Sequence, residues 1–133
     1  VLTRQFRLPV FVNGHDGLLI EVAAGLLEGA APQERIRAEA EEETGYRVHH
    51  VQPVFEAYMS PGSVTEKLHF FIAEYDATSK VSEGGGLEEE TEELEVLEWA
   101  FDEALEAFHR GEICDAKTIM LLQYAAMKNI FAA

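Results

Sequence analysis

Glu39-Ala40-Glu41-Glu42-Glu43-Thr44-Gly45-Tyr46 is the stretch whose reading decides the fold. Four of its first five residues are glutamate. On a helix, Glu39, Glu42 and Glu43 fall at i, i+3 and i+4 and share one face, while Glu41 points elsewhere. Like charges at that spacing repel by roughly a few tenths of a kcal/mol per pair, so something must compensate. A hard divalent cation does so naturally, because Mg²⁺ takes oxygen ligands beside water and substrate phosphates. The boundaries of the helix are written around this stretch. Pro32 suits a first turn, where its missing N–H costs nothing. Gln33 and Glu34 follow at the positive end of the helix dipole. Gly45 can end the helix in the left-handed conformation, with Tyr46 making the hydrophobic contact beyond it. The spacing predicts a helix over Pro32–Thr44, with Ile36 and Ala40 toward a core and a loop, Gly25–Ala31, leading in.

The 133 residues suit one domain, and 47% hydrophobic content suits a packed core. A formal net charge of −15 argues against nucleic acid and against an anionic membrane surface as partners. It leaves room for a phosphorylated substrate whose charge metal ions screen. The single cysteine, Cys114, rules out an internal disulfide framework and fits a reducing, cytoplasmic compartment. It reads as a small, partly buried residue. No run of about eighteen apolar residues is present, and no signal peptide is visible. The chain opens on Val1, already inside a strand-like segment, which points to residues upstream.

Outward from the acidic helix, Val1–Pro9 reads as a strand with Leu2, Arg4, Phe6 and Leu8 on one face. Arg4 and Arg7 there read equally as a solvated strand edge or as a guanidinium that meets a phosphate or stacks on a base. Asn13-Gly14 and Asp16-Gly17 mark turns. Leu18–Ala23 is a short apolar strand interrupted by Glu21. Arg47–Met59 holds a further strand, in which His49 and His50 point to opposite faces and make a poor metal pair. Ser60-Pro61-Gly62-Ser63 is a turn. Lys67–Tyr75 is apolar on both faces, as a central strand covered on both sides would be, with His69 a satisfied core histidine. After the loop Ala77–Gly86 comes a second acidic run, Glu88–Glu93. Leu94–Phe101 alternates as a strand. Asp102 caps a helix to about Arg110, closed by Gly111, and Asp115 caps a last helix over about Ala116–Ala126. Strands mixed with three helices predict an α/β sandwich, with helices on both faces of a mixed sheet.

With these elements placed, Gly25…Glu39-Ala40-Glu41-Glu42-Glu43-Thr44-Gly45-Tyr46 resembles the Nudix box, in which a glycine loop leads to an R-E-U-x-E-E-x-G-U helix. Glu39, Glu42, Glu43, Gly45 and Tyr46 match. Ala24 stands where the box has its first glycine, with Gly25 one residue late. Ala30 and Ala38 stand where the box has the glutamate and arginine that brace its loop. The segments VLTRQFR, YMSPGSVT, KLHFFIAEY, GGGL and GEICDAKT are similar to the subgroup of Nudix hydrolases that acts on ADP-ribose and GDP-mannose, so the resemblance covers almost the whole chain.

The resemblance implies an α/β/α Nudix fold with a mixed sheet, spanning residues 1–133 as one domain behind an absent N-terminal segment. It implies Mg²⁺ as cofactor, with Mn²⁺ a possible substitute. The metal ligands would be Glu39, Glu43, the backbone carbonyl of Ala24, and Glu92 in the second acidic run. Glu42 becomes a ligand or base and Glu90 the candidate base, whereas alignment on the triple glycine would make Glu90 the ligand instead of Glu92. Arg7, Glu66 and Lys117 match substrate-contacting positions, which favours Arg7 over Arg4. The expected reaction is hydrolysis of a nucleoside diphosphate sugar to nucleoside monophosphate and sugar phosphate, in a homodimer. The rival expectation, prompted by Ala30 and Ala38, is a binder of nucleotide sugars that does not turn them over.

Overall fold

The computed structural model describes residues 1–88 and 93–131, which form two compact units, Val1–Val22 with Gly85–Ala133, and Ala23–Gly84. The architecture is mixed α/β, as expected, and every described strand pairing is antiparallel.

In the first unit, β1 (Leu2–Phe6) lies between β2 (Leu18–Glu21) and β5 (Glu95–Leu97). The register sets Thr3 opposite Glu21, Phe6 opposite Leu18 and Leu2 opposite Leu97. Leu2 and Ile20 point into a core completed by Ala104 and Ala107 of α3 (Phe101–His109), Ile113, and Leu122 of α4 (Ala116–Met127). Ala104 and Ala107 are three apart, so they line one helix face with small side chains and let that face pack closely.

Three boundaries in this unit differ from expectation. β1 stops at Phe6, and Leu8–Val12 folds into a short helix, α1, with Pro9 in its first turn. Proline cannot donate to a strand ladder but is well placed at a helix start. β5 covers Glu95–Leu97 instead of Leu94–Phe101, because its pairing to β1 is confined to Leu2, Thr3 and Arg4. The N-cap of α3 is Ala100, not Asp102; Phe101 packs against the core from the first helical position. Asp102 and Glu103 then lie in the first turn, where the dipole favours acids. α4 follows expectation: Asp115 accepts from the Thr118 N–H at 3.2 Å.

In the second unit, α2 spans Pro32–Thr44, the range predicted. Gly45 ends it at φ +81°, its N–H donating to the Glu41 carbonyl at 2.9 Å. A side chain on Gly45 would strike the carbonyl of Ser82. Glycine is therefore required twice, by conformation and by space. Tyr46 packs against Tyr75 with ring centroids 4.6 Å apart.

β3 (His49–Tyr58) and β4 (Lys67–Glu74) form a hairpin whose register breaks at His49/Gln52 and Pro53/Phe55. Pro53 lacks the N–H a regular ladder needs there. Gln33 of α2 donates its side-chain amide to the Val51 carbonyl at 2.7 Å, tying helix to hairpin. β4 is not the central strand its composition predicts. Among the described residues it pairs with β3 alone, and only Phe70 along it is buried. An apolar run reports burial tendency, not the number of neighbouring strands.

Candidate active site

Glu39 and Glu43 are buried on α2, at 3% and 7% exposure, one helical turn apart on the face that also carries Ala40. Taking carboxylates out of water costs several kcal/mol each, by order of magnitude, so their surroundings matter. Arg35, one turn before Glu39, forms an ion pair with it and stands 3.9 Å from Glu28 in the incoming loop. The backbone N–H of Ala24 donates to Glu43 Oε2 at 3.2 Å. A side chain on Gly25 would collide with the Glu39 carboxylate. The loop backbone at Ala24 and Gly25 thus lies directly on both carboxylates. Glycine at position 25 is what allows this approach.

These contacts revise the reading of the brace. Ala30 and Ala38 cannot supply it, and Arg37 is exposed. Arg35 and Glu28 supply it from other positions. The signal is present in the sequence, since Arg35 precedes Glu39 by four residues. Glu41, expected to be solvated, forms a two-point pair with Arg47, both contacts at 3.2 Å. Glu42 is half-buried.

The donor set fits a hard divalent cation: two buried carboxylates on one helix face under a polar backbone loop. The atom of Ala24 seen against Glu43 is its N–H, whereas the resemblance implies its carbonyl as the ligand. Among the described residues, no three histidine, cysteine, aspartate or glutamate side chains gather as a metal cluster. The predicted ligand Glu92 and the predicted base Glu90 lie outside the described residues.

A second polar cluster sits in the other unit and joins two of the predicted substrate contacts. Arg7 donates to Glu21 through Nε at 2.9 Å and Nη2 at 3.1 Å. Lys117 Nζ donates to Glu21 Oε1 at 2.5 Å and to Asp115 Oδ2 at 3.0 Å. Burial alone would raise the Glu21 carboxyl, but the hydrogen bonds from Arg7 and Lys117 outweigh it and hold the group below the usual carboxylate range. Sequence reasoning misses Glu21. Its one visible sign is a charge interrupting an apolar strand. Arg4, the alternative to Arg7, pairs instead with Glu95 at 3.0 Å.

The remaining predicted positions are spread out. Glu66 is exposed beside Lys67, the first residue of β4. His69 is satisfied by Glu56 at 3.0 Å but is only half-buried, not a core residue. His50 pairs with Glu74 at 2.9 Å, and His49 meets Ser79 at 3.2 Å, so protein partners account for both. Cys114 is exposed, contrary to the reading as partly buried, because it precedes the α4 cap on a surface connection. No helix of the described residues is long and apolar enough to cross a membrane.

Helix α2 and its glycine loop form the carboxylate platform that the Nudix resemblance calls for. Comparison with known proteins narrows this class. The GDP-mannose pyrophosphatase of Pectobacterium atrosepticum is 55% identical over 133 residues, 99% of this chain and 68% of its own length. That of Cronobacter sakazakii is 56% identical over 131 residues, covering 98% of this chain and 68% of the relative. That of Salmonella typhimurium is 57% identical with the same coverage of both chains, 98% and 68%. No family model matches the chain. The chain belongs to the GDP-mannose pyrophosphatase family of Nudix enzymes.

Proposed function

We propose that this chain hydrolyses the pyrophosphate bond of GDP-mannose to GMP and mannose 1-phosphate. The observation that carries the proposal is identity of 54% to 57% with proteins named GDP-mannose pyrophosphatase across nearly the whole chain. The buried Glu39 and Glu43 support it, as two carboxylates on one helix turn able to hold the divalent ion that pyrophosphate hydrolysis uses. Arg35 and Glu28 weaken the case for the binder by bracing the loop that Ala30 and Ala38 leave without its usual pair.

Glu39, Glu43 and the Ala24 backbone would hold Mg²⁺, or Mn²⁺ in its place, with Glu92 completing the set. Such an ion, when bound, offsets phosphate charge and acidifies water. Water attacks one phosphorus and the bond to the bridging oxygen breaks. Glu42 or Glu90 accepts the water's proton, as a general base within hydrogen-bond reach would. Arg7, Lys117 and Glu66 bind the substrate. The reading extends to one domain over residues 1–133, a homodimer and a cytoplasmic location.

The test is product-formation kinetics on GDP-mannose, ADP-ribose, ADP-glucose and NADH, reading the nucleoside monophosphate and sugar phosphate (or the phosphate that added alkaline phosphatase frees from them), each with Mg²⁺ and again after EDTA. GDP-mannose should be turned over best, and EDTA should abolish turnover. A preference for ADP-ribose would reassign the substrate. Binding of GDP-mannose without Mg²⁺-dependent turnover would favour the non-catalytic binder.

A further inference from the structure

Glu21 lies at the end of β2 with 3% exposure, and its carboxylate receives two cations that come from separate elements. Arg7 arrives from the residue after β1 and grips it with two nitrogens, at 2.9 and 3.1 Å. Lys117 arrives from the first turn of α4 at 2.5 Å. A two-point contact fixes the plane of a guanidinium as well as its position. Arg7 keeps 47% of its side chain exposed, so the fixed group still faces solvent.

The carboxylate is itself anchored through the backbone on either side. The Glu21 carbonyl accepts from the Thr3 hydroxyl at 3.3 Å. The Val22 N–H donates to the Thr118 hydroxyl at 2.9 Å, and that hydroxyl donates to Asp115 at 2.7 Å. Asp115 also caps α4 and holds Lys117. Burying a carboxylate is costly, and Glu21 draws in both Lys117, whose side chain is 14% exposed, and the half-exposed Arg7. The expense makes sense if the placement of those two head groups is what the site requires.

We propose that Glu21 is a positioning residue for substrate: it sets the Arg7 and Lys117 head groups where they meet the charged part of the nucleotide sugar, and does not itself touch it. This rests on the proposed role of Arg7 and Lys117 as substrate contacts. A group acting only through binding shifts KM and leaves kcat nearly alone. Glu21→Gln keeps the shape, removes the charge and turns an N–H₂ toward a cation. KM for GDP-mannose should rise about tenfold, with kcat within about twofold. In an Arg7→Ala/Lys117→Ala background the same change should move KM no further, because the groups it acts through are gone.

Steady-state kinetics on wild type, Glu21→Gln, the double variant and the triple variant, each with a thermal melt, decide the matter. An unchanged KM in Glu21→Gln, a loss confined to kcat, or a triple variant worse than the double would overturn the proposal. If Glu21→Gln does not melt cooperatively, Arg7→Ala, Lys117→Ala and their combination answer instead. A shared anchor predicts non-additive KM effects, and additive ones would refute it. Should wild type fail to hydrolyse GDP-mannose, the functional reading falls first. Calorimetric binding of GDP-mannose to the same variants then tests Glu21 separately, and absence of any binding overturns both.

Discussion

Glu39 shows how one side chain can replace a missing pair. Arg35 sits a turn earlier with its side chain only 19% exposed and reaches both Glu39 and Glu28. Breaking such a pair leaves a buried carboxylate without its cation, which costs more than the pair itself contributes. Arg35→Ala should therefore destabilise the chain by about 2 kcal/mol, measured by urea unfolding. Arg35→Lys should recover part of the loss. No change in midpoint would remove Arg35 from its role as brace. Glu21 makes a different prediction, about pH. Its folded pKa is lowered, with burial opposing and the bonds from Arg7 and Lys117 prevailing. A lowered carboxylate stabilises the fold above its unfolded pKa of about 4.3. That contribution disappears as pH falls through the lower folded value. The difference in melting temperature between wild type and Glu21→Gln should be full at pH 7 and shrink progressively below about pH 4. A gap that persists into strong acid would mean the substitution acts by packing.

Elements whose limits are set by nearby residues are legible in the sequence. Pro32 opens α2 and Gly45 closes it, and both act within a turn of themselves. Gly45→Ala should cost about 1 kcal/mol for the left-handed conformation, and more because its new methyl meets the Ser82 carbonyl. A denaturation midpoint equal to wild type would show that the turn can rearrange. The Asp115 cap of α4 is equally local. What cannot be read this way depends on distant partners. The short β5 is limited by which residues of β1 it can pair with, and those lie more than ninety positions away in sequence, as with Arg4 and Glu95. Glu21 escapes for the same reason. Its partners lie 14 and 96 residues along the chain, and no periodicity joins them. α1 is hidden because Phe6 and Leu8 continue the alternation of a strand, while Pro9 stops the ladder. The pair Glu39 and Glu43 is legible because helical spacing alone puts them on one face; that the Ala24–Gly25 loop lies on them is not.

Over the whole molecule, a net charge of −15 works against compactness by self-repulsion. Two of its carboxylates are also buried in α2. Any cation that binds the folded chain and not the unfolded one will stabilise it by mass action, by about 2.7 kcal/mol at a hundred times Kd. Simple screening would stabilise as well, but sodium would do it as effectively as a divalent ion at equal ionic strength. The two effects therefore separate in a melting experiment. Wild type should gain several degrees in millimolar MgCl₂ or MnCl₂ over NaCl of matched ionic strength, and EDTA should reverse the gain. Glu43→Gln should fold, keep the NaCl response and lose the divalent-specific part. Its turnover of GDP-mannose should fall by orders of magnitude, since the same carboxylate serves both measurements. If Glu43→Gln retained the divalent-specific stabilisation, the ion would be held elsewhere, and α2 would no longer be the metal platform.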